Sequence, residues 1–232
     1  TTTPSWTLAG ALPMGLLAHR VARGALADRL AWVGLLCMGL FSSLLVLTAL
    51  RDVLLAAVWV AATLGWSPAQ ALLPGLRADS AVLVPLAALV VTVLGFWNAR
   101  RTARVVRVDV PVAALPAALE GFTVAQITDI HVGPTIKQHY LQAIVHKVNA
   151  LEADMVAITG DLVDGKVHEL ADHVAPLAQL RSRHGSFFVT GNHEYYSGAH
   201  AWMAELRRLG VRVLMNEHVV LQQNQAAVVL AG

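Results

Sequence analysis

A long apolar stretch near the amino end most constrains how this chain can fold. Residues 30–50 contain no charged residue in 21 positions, and a helix needs about 20 apolar residues to cross the hydrocarbon core of a bilayer. The stretch also lacks the polar face of a helix at the surface of a soluble domain. Two further apolar stretches follow, residues 53–73, interrupted by Gly65 and Pro68, and residues 80–98. The sequence therefore predicts three membrane-spanning helices.

Composition divides the chain into two regions. The 232 residues are 56% hydrophobic and 14% charged, whereas soluble domains have about 25% charged residues. Because the deficit lies mostly before residue 99, we expect a transmembrane helical region over residues 1–98 and an α/β domain over residues 99–232. The apolar residues 4–18 are too few for a confident span. Since the chain begins with Thr1, we expect the native amino end to be missing.

Charge and cysteine content exclude some functions and leave the membrane side open. A net charge of +2 is too small to predict a nucleic-acid partner, and the single Cys37 cannot form an intrachain disulfide. Three spans would place the two groups of flanking arginines on opposite sides of the membrane, so the positive-inside rule supports both orientations almost equally. We expect the α/β domain to face the cytoplasm, at the inner (plasma) membrane of a bacterium. The arginines concerned are Arg20, Arg23 and Arg29 before the first span, and Arg100, Arg101, Arg104 and Arg107 after the last.

The α/β domain contains strand-like runs that each end in a polar motif. Residues 124–128, 155–159 and 187–190 have the composition of strands buried on both faces. Helical spacing over residues 136–150 and 167–180 separates them, and a strand, crossover helix and return strand need about 30 residues or more. The polar motifs that follow these strands should therefore lie together at the carboxyl edge of a parallel sheet, where ligands commonly bind. Further elements are predicted as strands at 104–110 and 211–214, a helix at 199–209, and a hairpin of 219–222 with 226–231.

The polar motifs carry the ligands expected of a metal site. They are Asp129-Ile130-His131, Gly160-Asp161-Leu162-Val163-Asp164 and Gly191-Asn192-His193-Glu194. Carboxylate, amide and imidazole donors without a thiolate favour Mn²⁺, Fe or Zn²⁺. Asp129 and His131 could bind one ion, Asp161 could bridge to a second, and Asn192 could bind that second ion. Two ions about 3.5–4 Å apart polarise a phosphate ester and activate a water molecule.

Each of these residues also has a plain structural interpretation. Gly-Asp and Gly-Asn are ordinary turn pairs, and Asp164 could equally cap the helix that follows it. Tyr195 and Tyr196 could line a substrate pocket or pack into a helix-entry loop. The presence of all three motifs favours the metal site.

Taken together, the motifs D-x-H, G-D-x-x-D and G-N-H-E resemble the signature of the calcineurin-like metallophosphoesterase superfamily over residues 104–232. The resemblance implies a partial αββα sandwich with a site for two divalent ions. It also implies a role for each matching residue: Asp129 and His131 as ligands of the first metal, Asp161 as the bridge, Asn192 as ligand of the second metal, His193 as the phosphate-contacting proton donor, Asp164 as the residue that orients His193, and Glu194 as a support of the loop.

The same resemblance implies that this chain lacks some metal-ligating histidines, and it suggests a class of substrate. The superfamily completes its site with later histidines, and His200 and His218 do not stand in those contexts. We therefore expect a fragment that ends at Gly232 and that is inactive, or nearly so, without the rest. The apolar amino region is similar to membrane-anchored bacterial members, some of which cleave the pyrophosphate of a UDP-linked diacyl sugar.

Three functions follow from these observations. The first is a membrane-bound, two-metal phosphoesterase acting on a phosphorylated substrate, which can be a lipid. The second is a non-catalytic membrane protein that binds a metal or a phosphorylated ligand. The third, a metal-dependent nuclease, predicts a basic groove that this charge pattern does not supply. The sequence does not predict the oligomeric state.

Overall fold

The computed structural model describes residues 17–18 and 24–232. The described residues up to Arg101 form one compact unit, and Thr102–Gly232 form a second. Most of the apolar stretch at residues 4–18 lies outside the described residues.

The first unit is an antiparallel hairpin of two helices, α1 (Gly24–Thr63) and α2 (Ser67–Ala99). Both are long and apolar enough to cross a membrane. Small side chains, such as Ala31 and Ala88, are buried where the helices meet, whereas large apolar side chains point outward on both helices. A helix that is apolar on all sides suits a lipid environment.

The prediction of three spans is wrong for the described residues, because the second predicted span is not a separate helix. Helix α1 continues through Arg51 and Asp52, which form an ion pair at 3.0 Å. The chain turns at Gly65, where φ is 90°, and α2 begins with Pro68 in its first turn, where the missing N–H costs no hydrogen bond. The break therefore falls inside residues 53–73, and the start of α1 and the end of α2 lie at the same end of the hairpin.

A parallel sheet forms the centre of the second unit. Its strands are β1 (Val124–Ile127), β2 (Met155–Thr159), β3 (Ser186–Val189) and β4 (Arg212–Val213), in that order across the sheet. Strands β5 (His218–Gln223) and β6 (Ala226–Ala231) form a separate antiparallel hairpin. The predicted α/β fold with a parallel sheet is confirmed.

Helices cover one face of this sheet, and the β5–β6 hairpin covers part of the other. The α-helices are α3 (Gln138–Asn149), α4 (Val167–Val174), α5 (Asn192–Ser197) and α6 (Ala199–Arg208), and short 3₁₀ turns occupy Ala117–Leu119 and Ala175–Gln179. Neighbouring side chains of β3 point to opposite faces. Phe188 packs with Leu141 and Trp202 in the helix-covered core, whereas Phe187 packs with Val219 in the core under the β5–β6 hairpin. Burial on both faces explains the apolar sequences of β2 and β3. Strand β1 differs, because Val124 and Gln126 are exposed and only its other face is buried.

Two further element predictions differ from the structure. Residues 104–110 belong to no strand in the described part of the chain; Val106, Val108 and Val110 are exposed there. The Arg–Val alternation satisfies the period of a strand, but no neighbouring strand pairs with it. The helix predicted over 167–180 ends at Val174, because the ring of Pro176 cannot continue α-helical hydrogen bonding, and a 3₁₀ turn follows.

Candidate metal centre

The loops that follow β1 and β2 are hydrogen-bonded to each other through their backbones. The His131 N–H donates to the Asp161 carbonyl at 3.1 Å, the Val132 N–H donates to the Leu162 carbonyl at 2.8 Å, and the Asp164 N–H donates back to the Val132 carbonyl at 2.8 Å. The first two predicted motifs therefore lie side by side at the carboxyl edge of the sheet.

Two glycines allow the third motif to approach the second. A Cβ atom on Gly160 would clash with the backbone of Gly191, and a Cβ atom on Gly191 would clash with the Asp161 side chain. Gly160 also adopts a φ of 83°, which disfavours a side chain. The glycines thus bring the Asp161 loop and the His193 loop into direct contact.

Three candidate ligands have an uncommon backbone conformation. Asp129, His131 and Asp161 have φ values of 54°, 53° and 50°. Non-glycine residues in the left-handed region are uncommon, and such strain clusters at functional sites. The surrounding hydrogen bonds hold these residues in that conformation.

Glu194 joins the second and third motifs through a fully buried carboxylate. Its Oε1 atom accepts from the Leu162 and Val163 N–H groups at 2.8 and 3.3 Å, and its Oε2 atom accepts from those of Asp161 and Gly191 at 3.0 and 2.7 Å. Through these four hydrogen bonds Glu194 links the Asp161 loop to the Gly191 loop, in line with the expected role of supporting the loop.

His131, Asp161 and His193 form a cluster of possible ligands. One ligand atom from each lies within 4.8 Å of the others. Asp129 is close by, with its Oδ1 atom 4.0 Å from His131 Nε2. The Asp161 Oδ1 atom also accepts from the His193 N–H at 3.0 Å. Two imidazoles and two carboxylates at this separation suit a divalent cation such as Mn²⁺, Fe²⁺ or Zn²⁺.

Asp164 orients both imidazoles of the cluster. Its Oδ1 atom lies 2.9 Å from His131 Nδ1 and 2.7 Å from His193 Nδ1. Because an ionised carboxylate only accepts hydrogen bonds, both Nδ1 atoms donate to Asp164, which leaves Nε2 as the ring nitrogen that can face a ligand. The sequence linked Asp164 to His193 alone; the link to His131 has no signal in the spacing.

The electrostatic surroundings raise the pKa of His131 above its ordinary value. Partial burial lowers this pKa, but the hydrogen bond with Asp164 and the negative charges of Asp164, Asp161 and Asp129 together raise it further. A cation at His131 Nε2 must therefore displace a proton that is held more firmly than in an ordinary histidine.

The remaining predicted residues surround this cluster. Asn192 is the first residue of α5, and its side chain is exposed next to His193. Tyr196 lies edge-on to His193, with ring centroids 5.7 Å apart. Tyr195 and Tyr196 are 60% and 78% exposed, so they are not packed into the helix-entry loop, and the Tyr195 hydroxyl accepts from Thr190 Oγ1 at 3.3 Å.

Comparison with known proteins agrees with this geometry. The sequence model of the calcineurin-like phosphoesterase family matches residues 122–229. A "transmembrane protein with metallophosphoesterase domain" from Bos taurus is 44% identical over 145 residues, 62% of this chain and 32% of that protein. Its counterpart in Danio rerio is 41% identical over 138 residues, 59% of this chain and 32% of that protein. An uncharacterised metallophosphoesterase of Helicobacter pylori is 43% identical over 95 residues, 41% of this chain and 26% of that protein.

The matches extend beyond bacteria and cover part of each relative. This chain spans about a third of the length of the two animal proteins. A more distant relative, a UDP-2,3-diacylglucosamine pyrophosphatase of Chlamydia muridarum, is 32% identical over 80 residues, 34% of this chain and 24% of that protein. No solved structure matches the chain. The animal and bacterial relatives and the motif geometry thus agree: residues 122–229 of this chain match the calcineurin-like phosphoesterase family and are similar to metallophosphoesterases.

Proposed function

We propose that the protein is a membrane-bound, metal-dependent phosphoesterase that hydrolyses a phosphoester or pyrophosphate bond. The observation that carries the proposal is the convergence of His131, Asp161 and His193 from three separate loops. The two apolar helices and the distant diacylglucosamine pyrophosphatase relative favour a lipid-linked substrate.

In this proposal, Asp129 and His131 would hold a first divalent ion, Asp161 would be shared with a second, and Asn192 would contribute its amide oxygen to the second. When bound, such an ion pair neutralises phosphate charge and lowers the pKa of a shared water molecule. Asp164 holds His131 with its Nε2 atom free, and Glu194 holds the Asp161 backbone in place.

His193 is proposed to donate a proton to the leaving-group oxygen from Nε2. Its Nδ1–H is held by Asp164 at 2.7 Å, so Nε2 faces away from that hydrogen bond. This hydrogen bond fixes the orientation in which Nε2 would face the leaving group.

We predict that His193→Ala slows turnover while bound metal is retained. Loss of a general acid typically costs about 10²–10⁴-fold in rate. The assay is Mn²⁺-stimulated hydrolysis of bis(p-nitrophenyl) phosphate by the full-length protein, with metal content measured by mass spectrometry. His200→Ala, on an exposed residue of α6, is the matched control and should leave the rate unchanged.

Two results would change this assignment. Loss of bound metal in His193→Ala would make His193 a ligand. Stoichiometric metal in the parent protein without hydrolysis of any phosphoester or pyrophosphate would indicate the non-catalytic, metal-binding alternative.

We further propose that the phosphoesterase domain lies on the cytoplasmic side of the plasma membrane, which in a bacterium is the inner membrane. In the two-helix hairpin, Arg29, Arg100 and Arg101 lie close together at the end where the chain continues into the domain, whereas Arg51 and Arg77 lie toward the turn, which is itself uncharged at residues 64–66. Clustered arginine at one end favours that end as cytoplasmic.

Thiol labelling tests this orientation. In a Cys37→Ser background, a cysteine introduced by Leu64→Cys should react with a membrane-impermeant maleimide on intact cells, whereas one introduced by His200→Cys should react only after permeabilisation. The reverse pattern would place the domain outside.

A further inference from the structure

The helical hairpin is longer than the bilayer that it crosses. Helix α1 has 40 residues, which corresponds to about 60 Å, whereas the hydrocarbon core is about 30 Å thick. Part of the hairpin must therefore lie outside the core. The placement of its polar contacts shows which part.

Two polar contacts between the helices enclose an uncharged segment. At the open end, the Arg100 guanidinium lies over the Trp32 ring, 5.2 Å from its centroid. Further along, Arg51 Nε donates to Ser80 Oγ at 2.8 Å and the guanidinium pairs with Asp52. Between these two contacts, residues 33–50 and 81–99 contain no charge.

The separation of the two contacts matches the bilayer on both helices. Trp32 and Arg51 are about 28 Å apart along α1, and Ser80 and Arg100 are about 30 Å apart along α2. Tryptophan and arginine are typical of membrane–water interfaces, where the ring lies at the headgroup level and the guanidinium extends to water.

We infer that the hydrocarbon core lies between the Trp32–Arg100 contact and the Arg51–Ser80 contact. Residues 53–76 then lie beyond the core on the far side. This distal segment extends about 18 Å past Arg51, so the turn at residues 64–66 projects past a headgroup layer roughly 5–8 Å thick.

A different register would centre the membrane between Trp32 and Trp59. These residues are about 40 Å apart, which approaches the thickness of a bilayer with its headgroups. That register places the charged Arg51 and Asp52 deeper in the membrane, where ionised side chains are strongly disfavoured. The charge positions therefore favour the first register.

Spin-label depth measurements distinguish the two registers. The full-length protein, in a Cys37→Ser background and reconstituted in phospholipid vesicles, receives a nitroxide at one exposed position at a time. Suitable lipid-facing positions on α1 are Leu36, Phe41, Leu50 and Leu54. Depth follows from the ratio of collisions with oxygen to collisions with a water-soluble nickel chelate.

The inference predicts that the label at Phe41 is the deepest. The label at Leu36 should be about 5 Å deeper than that at Leu50, and the label at Leu54 should be about 20 Å shallower than that at Phe41. A label at Leu50 that is deeper than that at Leu36, or a chain whose labels all contact the nickel chelate, would overturn the inference.

Helix α2 provides a matched pair that decides the question if an α1 variant fails to insert. Leu94 and Val82 are both exposed, and the inference places Leu94 closer to the middle of the core. A label at Leu94 should be the deeper of the two, and the opposite order would contradict the inference. This test is independent of catalysis, because no phosphoesterase residue is changed.

Discussion

Asp161→Asn is expected to abolish the metal-stimulated activity of the full-length protein. The substitution removes the negative charge that the proposed bridge requires, whereas the retained Oδ1 atom can still accept the His193 N–H, as the carboxylate does at 3.0 Å. Substitution of groups that only support metal ligands already costs about 10–100-fold. We therefore expect a loss of more than about 100-fold for a direct bridging ligand.

The measurement is the rate of Mn²⁺-dependent hydrolysis of a chromogenic phosphodiester, together with the melting temperature and membrane insertion of the variant. Asp172→Asn, on an exposed aspartate of α4, makes the same chemical change away from the cluster and should retain the parent rate. Activity within a few-fold of the parent in Asp161→Asn would refute the bridging role.

Glu194→Ala is expected to destabilise the phosphoesterase domain more than other single changes near the cluster. The substitution leaves the N–H groups of Asp161, Leu162, Val163 and Gly191 without their common acceptor. Each buried donor left without a partner costs about 1–3 kcal/mol. With some refilling by water, the variant should lose about 3 kcal/mol or more in free energy of unfolding.

Thermal unfolding of the metal-free protein measures this loss without involving catalysis. Glu120→Ala, on an exposed glutamate, is the control and should change the melting temperature little. An unchanged melting temperature in Glu194→Ala would show that water or a neighbouring group replaces the carboxylate. In that case Glu194 would not hold the loops together.

The strands that carry the motifs were predictable because β2 and β3 are buried on both faces, and β1 buries Ala125 and Ile127 on one face. Residues 155–159 coincide with β2, and the other two predicted runs match β1 and β3 to within one residue at each end. The run at 104–110 has the same strand-like alternation but finds no partner, since a period of two residues reports on side-chain spacing and not on the presence of a neighbouring strand. Hydropathy likewise identified the membrane region but not its turn. Helix α1 extends past Arg51 because a local ion pair and a hydrogen bond to the other helix accommodate the charge.

The sequence identified the residues of the candidate site but not the hydrogen bonds between them. The spacing of the motifs indicates that Asp129, Asp161 and His193 approach one edge of the sheet. It cannot indicate that Asp164 contacts two histidines, or that Glu194 binds N–H groups of two loops, because these contacts depend on left-handed backbone conformations at His131 and Asp161. Such conformations are set by the folded surroundings and leave no periodic signal.

The sharing of one Asp164 oxygen by two imidazoles fixes both rings before any ion arrives. Rotational entropy of the His131 and His193 side chains is then lost during folding and not at the moment of binding, which favours tight coordination. Removal of the ion by a chelator would therefore leave the two histidines in the same positions. Reloading with the cation would consequently require little rearrangement of the protein.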